Sequence, residues 1–196
     1  LSANGLAHKP MWSDIGIMQK LSTRVENGET WYYTGAYSGN FNCIIKSRDL
    51  VTWEYVAAPA FTNESLWENA VYVVGDKCWY FVRQDACMQG FLTAYDLQTG
   101  MWAVPTLVRD AQSRSDFIWY NGALYLIHAP IDRNGFGILQ IDRENPAASK
   151  PVAVADMHDS LFYPYTDLYG DYAYMSYTVA RKHIRLTRFP LAAYLG

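Results

Sequence analysis

The sequence predicts an all-β protein: a β-propeller of four-stranded antiparallel blades, with about four blades in the chain. Three observations carry that expectation. One pattern recurs about every 47 residues. Each copy is a β-hairpin built on a two-residue turn signal, flanked by runs of β-branched and aromatic residues. Helical periodicity is nearly absent, short runs such as Pro146 to Ser149 being too brief to count.

The copy from Glu68 to Arg83 organises the rest. Two apolar runs flank Gly75-Asp76, and a two-residue turn there sets Glu68 opposite Arg83 at the open end of the hairpin. The other copies turn at Asn27-Gly28, Asn121-Gly122 and Gly170-Asp171, and alignment on the turns stacks Trp31, Trp79, Tyr125 and Tyr174 in one column. A third strand follows each hairpin, at 43–47, 91–95, 136–141 and 183–187. A fourth follows in three copies, at 53–56, 102–105 and 151–154. The last copy lacks one, and Leu1 to Pro10 is expected to supply it. The blades run roughly 14–58, 66–108, 112–156 and 161–196 within a single domain, 1–196. They form a complete ring or part of a larger one.

Composition sets the bounds on function. At 196 residues the chain can bury a sizeable core. Its 16 Tyr and 7 Trp suit strands and sugar-binding surfaces. A net charge of −3 leaves no nucleic-acid footprint. No apolar run approaches the roughly 18 residues of a membrane span. The chain opens at Leu1 without a signal peptide, as a processed piece of something longer would. Cys43, Cys78 and Cys87 show no metal spacing. The expectation is three buried thiols, with a Cys78–Cys87 pair as the alternative, and neither metal nor cofactor.

In a propeller the innermost strands line the central channel. The register that puts Glu68 at the start of its inner strand puts Arg114 and Tyr163 at the equivalent positions. Arg83, Asp116, His128, Arg133 and Tyr165 lie near them in sequence, and Asp14 opens the first blade. A purely structural repeat would favour one small or apolar residue in each blade. Divergent polar residues in one column point to a site.

These residues resemble a known group. Trp67 to Arg83 looks like the sialidase segment that carries a Glu and, 15 residues on, a substrate-binding Arg. Phe162-Tyr163-Pro164, followed by 174–178 and 181–185, is similar to the closing blade of sialidase-like propellers, where a Tyr is the nucleophile. Arg114 and the His128–Arg133 loop fall where that family places another Arg. The turn from Ser47 through Asp49 to Trp53 resembles the family's Asp-box. It is closer still to the Ser-x-Asp-Leu-x-x-Trp turn of five-bladed arabinanase-, xylosidase- and invertase-like glycosidases, which also place an acidic residue where Glu68 stands. The sequence departs from sialidases in three ways. His8-Lys9-Pro10 replaces their Arg-x-Pro, only Asp14 answers to their acid/base Asp, and 196 residues cannot supply six blades.

The resemblance implies a carbohydrate-active enzyme, expected outside the cell or in the periplasm. On the sialidase pattern Tyr163 is the nucleophile, Glu68 its base and Asp14 the acid. Arg83, Arg114 and Arg133 then clamp the carboxylate of an acidic sugar, with His128, Asp116 and Tyr165 lining the site. A second reading uses two carboxylates, Asp14 or Asp116 with Glu68, on a neutral sugar. A third keeps the blades for glycan binding or assembly without chemistry.

Overall fold

The computed structural model describes residues 20–38, 41–59 and 66–196. The chain divides into two compact units, residues 1–86 with 91–105, and residues 87–90 with 106–196. The fold is the all-β propeller type of four-stranded antiparallel sheets that the repeat predicts.

The first sheet runs β1 (Ser22–Glu26), β2 (Glu29–Ser38), β3 (Phe41–Ser47) and β4 (Glu54–Ala57), each beside the next. The second runs β5 (Leu66–Val74), β6 (Lys77–Gln84), β7 (Gln89–Asp96) and β8 (Thr106–Val108). The third is β9 (Gln112–Tyr120), β10 (Ala123–Ala129), β11 (Gly135–Ile141) and β12 (Lys150–Met157). The last holds three strands, β13 (Leu161–Tyr169), β14 (Tyr172–Val179) and β15 (His183–Pro190). A five-residue helix, α1 (Leu191–Leu195), follows it. The proposed closing strand, Leu1 to Pro10, lies outside the described residues.

All four expected turns are two residues long. Glu26 pairs with Glu29, Val74 with Lys77, Tyr120 with Ala123 and Tyr169 with Tyr172. At Asn27-Gly28 and Asn121-Gly122 both residues take left-handed φ, the type I′ pattern. At Gly75 and Gly170 only the first central residue does, as a type II′ turn requires. Local chemistry thus sets the hairpin registers.

The returns to the fourth strands are also built alike. Asp49 Oδ1 accepts from the amides of Val51 and Thr52, Asp96 Oδ1 from those of Gln98 and Thr99, and Asp142 Oδ1 from those of Glu144 and Asn145. An aspartate that satisfies two amides at once makes a compact polar turn. One expected fourth strand is displaced. Trp102 forms only an isolated bridge with Tyr95, and β8 begins after Pro105 rather than spanning 102–105. Proline has no amide to give to a ladder.

Each unit carries its own core. Tyr33, Ile44, Val71, Cys78, Tyr80 and Val82 pack together in the first. Ile118, Tyr125, Ile127, Phe136, Met175 and Phe189 do so in the second, with Leu191 and Leu195 of α1. The cysteines are all free. Cys43 and Cys78 are buried, but Cys87 is exposed, which corrects the expectation of three buried thiols. No helix among the described residues is long and apolar enough to cross a membrane.

Candidate functional site

Three hairpins lose their register toward the open end. In the β5–β6 hairpin the ladder passes from Asn69–Val82 to Leu66–Gln84, so Trp67 and Glu68 together oppose Arg83. In β9–β10 it passes from Asp116–Ile127 to Gln112–Ala129, so Ser113, Arg114 and Ser115 oppose His128. In β13–β14 it passes from Tyr165–Ser176 to Phe162–Thr178, so Tyr163 and Pro164 oppose Tyr177. Glu68, Arg114 and Tyr163 therefore all stand in β-bulges. Bulges re-aim side chains and concentrate beside active sites. They also correct the expectation of an unbroken Glu68–Arg83 ladder pair. Ser113 and Tyr163 hold φ of 73° and 59°, left-handed conformations that non-glycine residues adopt only under constraint.

In the first unit the two expected partners meet. Arg83 Nη1 donates to Glu68 Oε2 at 2.7 Å. Glu68 is only 5% exposed. Arg83 Nη2 also donates to Asp85. Beside them lies a buried amide network that sequence reasoning missed. Asn69 Nδ2 donates to Asn42 Oδ1 at 2.8 Å, Tyr80 Oη at 3.0 Å and the Ala36 carbonyl at 3.1 Å. Tyr80 Oη donates to Asn42 Oδ1 at 3.1 Å, and Asn42 Nδ2 to the Leu66 carbonyl at 3.1 Å. Both ends of the bulge, Leu66 and Asn69, are thus pinned to one cluster. Gly35 makes room for it, because a Cβ there would meet Asn69 Oδ1 at 1.8 Å. A glycine inside a strand was the available signal.

In the second unit the expected residues hold main chain. Arg114 Nη2 reaches the carbonyls of Tyr163 and Pro164 at 3.4 and 3.3 Å, and its guanidinium lies 5.7 Å from the Tyr163 ring. Asp116 Oδ2 accepts from the Thr166 amide at 2.6 Å. The β9 bulge thereby grips the β13 bulge. Arg133 stacks on Phe162 at 4.4 Å, and Arg181 lies 4.8 Å from the same ring. Burial raises the pKa of the Tyr165 phenol, and the Asp116 and Asp167 charges add to this. The His128 ring lies against Gly137, where a Cβ would come within 2.9 Å of Nε2. Its Nδ1 is shielded without a hydrogen-bond partner, as are the hydroxyls of Ser113, Ser115 and Thr166. Burial pushes the imidazole pKa down, against a partial upward pull from Asp110. Asp14 lies outside the described residues.

Sialidase chemistry needs a tyrosine that gives its proton to a carboxylate. Among the described residues, Tyr33 with Glu26 and Tyr177 with Asp156 are such pairs. Both tyrosines are almost fully buried, and burial with the neighbouring carboxylate drives both phenols well above their usual range. They brace the fold and present no nucleophile. Among the described residues no group of three or more His, Cys, Asp or Glu is placed to hold a metal ion.

No family model matches the sequence. No curated protein matches it either. Solved structures do match in fold. A Bacillus licheniformis GH43 protein, BlXynB, aligns with a TM-score of 0.62 at 12% identity over 89% of this chain and 40% of its own. GH43B of a Bacteroides ovatus xyloglucan locus aligns at 0.58 and 16% over 84% and 36%. An exo-β-1,3-galactanase from Phanerochaete chrysosporium with galactose aligns at 0.58 and 15% over 81% and 43%. The chain thus spans less than half the length of these structures. At such identity the likeness is one of fold.

Proposed function

We propose that the chain is part of a glycoside hydrolase propeller that cleaves a neutral sugar with two carboxylates. Glu68 is one of them, and Asp14 is the candidate for the other. The observation that carries this reading is the buried Glu68 carboxylate, set in a bulge and held by Arg83 at 2.7 Å. The likeness to GH43 glycosidases supports the substrate class. In such chemistry one carboxyl protonates the leaving oxygen, while the other, ionised, stabilises the oxocarbenium-like transition state or activates water. The guanidinium keeps Glu68 oriented for the ionised role and offsets its removal from water. The sialidase assignment, with Tyr163 as nucleophile, draws less support. Arg83 is engaged with Glu68 and Asp85, and Arg114 with main-chain carbonyls, instead of standing ready for a substrate carboxylate.

The test compares turnover of aryl arabinofuranoside, xyloside and galactoside with that of an aryl sialoside. Hydrolysis of a neutral glycoside, cut at least about 100-fold by Glu68→Gln, is the expected result. Asp14→Asn then tests the second carboxylate. Sialoside turnover lost in Tyr163→Phe would reverse the assignment. Calorimetric binding of a neutral oligosaccharide without turnover would leave a glycan-binding module.

A further inference from the structure

Two arginines from different loops of the second unit converge on one ring. The guanidinium of Arg133 lies 4.4 Å from the centre of the Phe162 ring, and that of Arg181 lies 4.8 Å from it. Phe162 is buried, Arg133 half-buried and Arg181 exposed. The Tyr163 ring stands 6.0 Å from Phe162, with Arg114 over it. Three cations thus surround one aromatic pair. Arg114 is engaged by the carbonyls of Tyr163 and Pro164. Arg181 has the Phe162 ring and, among the described residues, no carboxylate. Asp132, the acid next to Arg133 in the chain, is taken up by the amide and the Nδ2 of Asn134.

The main chain holds this arrangement under constraint. Leu161 donates its amide to the Arg133 carbonyl at 2.7 Å, and Ala180 to the Ser160 carbonyl at 2.8 Å. These bonds tie both arginine loops to the start of β13. Arg133, Ser160, Ala180 and Arg181 all take left-handed φ, between 52° and 62°. Ala180-Arg181 fills the centre of a turn closed by the Lys182 amide on the Val179 carbonyl at 3.0 Å. At 27–28 and 121–122 the same left-handed pair is filled by Asn-Gly, which tolerates it. Alanine and arginine do not, and backbone held in this way concentrates at ligand sites. Two like charges on one ring also repel. Covering Phe162 requires neither feature, since one apolar side chain would do it. A guanidinium over a ring still presents its N–H donors, in the fork that fits a carboxylate.

We propose that Arg133 and Arg181, set around Phe162, form an oxyanion cradle that takes the carboxylate of a uronic acid residue. The sugar part of this assignment rests on the glycosidase reading above, and the oxyanion part does not. The glycan whose neutral linkage is cleaved therefore also carries uronic acid. This is not the sialidase arrangement. Arg83 and Arg114 take no part, and the acidic sugar is recognised without being cleaved. The bound carboxylate offsets the repulsion between the two guanidiniums, and the half-buried Tyr163 ring supplies an apolar wall beside the sugar.

The test is calorimetric titration of the full chain at low salt with methyl glucuronoside, methyl glucoside and sodium sulfate. We expect saturable glucuronoside binding, at least about tenfold tighter than that of the neutral glucoside or of sulfate. Arg181→Gln should weaken it at least about tenfold with an unchanged melting temperature, because residue 181 is exposed. Arg181→Lys keeps the charge but loses the fork, and should fall between wild type and Arg181→Gln. Equal binding of the glucoside, or glucuronoside binding indifferent to Arg181→Gln, would overturn the cradle. So would absence of binding at about 10 mM. Sulfate bound as tightly as the glucuronoside, and lost in the same variant, would overturn the uronate assignment and leave an inorganic oxyanion site. The glycosidase reading fails separately. Neutral-glycoside turnover without glucuronoside binding overturns the cradle alone, and glucuronoside binding without any turnover upholds the cradle and removes the hydrolase.

Discussion

Arg83 faces Glu68 across a bulge, and the two side chains, 14% and 7% exposed, form one 2.7 Å ion pair at the open end of the β5–β6 hairpin. Their situations are not symmetric. Arg83 has a second partner in the half-exposed Asp85, whereas Glu68 depends on Arg83. Arg83→Met leaves a carboxylate buried without its cation and should cost about 3–5 kcal/mol. Glu68→Gln leaves Arg83 paired with Asp85 and should cost clearly less. The double variant should recover part of the Arg83→Met loss. Urea unfolding of the three variants checks the order.

Gly35 and Asn69 form a second coupled pair. Gly35→Ala drives a Cβ into the Asn69 amide and should lose about 1–3 kcal/mol by overpacking. Asn69→Ala empties that space, though it breaks three hydrogen bonds. In the Asn69→Ala background, Gly35→Ala should therefore be much milder. A double-mutant cycle reads the coupling, and strict additivity would show that the two groups do not touch.

His128 gives the second unit a pH dependence. Its pKa in the fold lies below the ordinary 6.5, chiefly through burial. The unfolded chain takes up a proton that the folded ring resists. The contribution is present above 6.5 and is lost as pH falls from there toward the lower folded value. The stability difference between wild type and His128→Leu should shrink from about pH 7 to about pH 5. A constant difference over that range would place the imidazole in water.

Asp49 acts at the opposite end of the scale. Amides of Thr52 and Val51 hold its carboxyl down to about 2, against an ordinary 3.8. A depressed acid contributes above its unfolded value and loses that contribution as pH falls through the folded one. The gap in melting temperature between wild type and Asp49→Ala should narrow between 3.8 and about 2. Above that window it should be flat.

What the sequence shows and hides has a physical basis. The four turns are legible because Asn-Gly and Gly-Asp each favour one backbone geometry. The turn brings Glu68 and Arg83 to the same end of the hairpin, but the direct ladder pair it implies is replaced by a bulge. The bulges are hidden, because Ser113 and Tyr163 give no local sign of the left-handed φ they adopt. That strain is imposed by packing. The Asn42–Asn69–Tyr80 network joins residues up to 38 positions apart and has no local signature. The displaced β8 was misread because Trp102 looks like a strand start, while Pro105 ends the pairing beyond it.

The bulges divide each of these three hairpins into a part whose length is fixed and a part whose length is not. From Asn69 to the turn the ladder tolerates no insertion without turning every side chain over. Beyond it, two or three residues already stand against a single partner in these hairpins. Gain or loss of a residue at 67–68, 113–115 or 163–164 would redirect the rim and leave the hairpin standing. A lineage built on this blade can thus change its chemistry by small insertions and deletions, a shorter mutational path than remodelling a core.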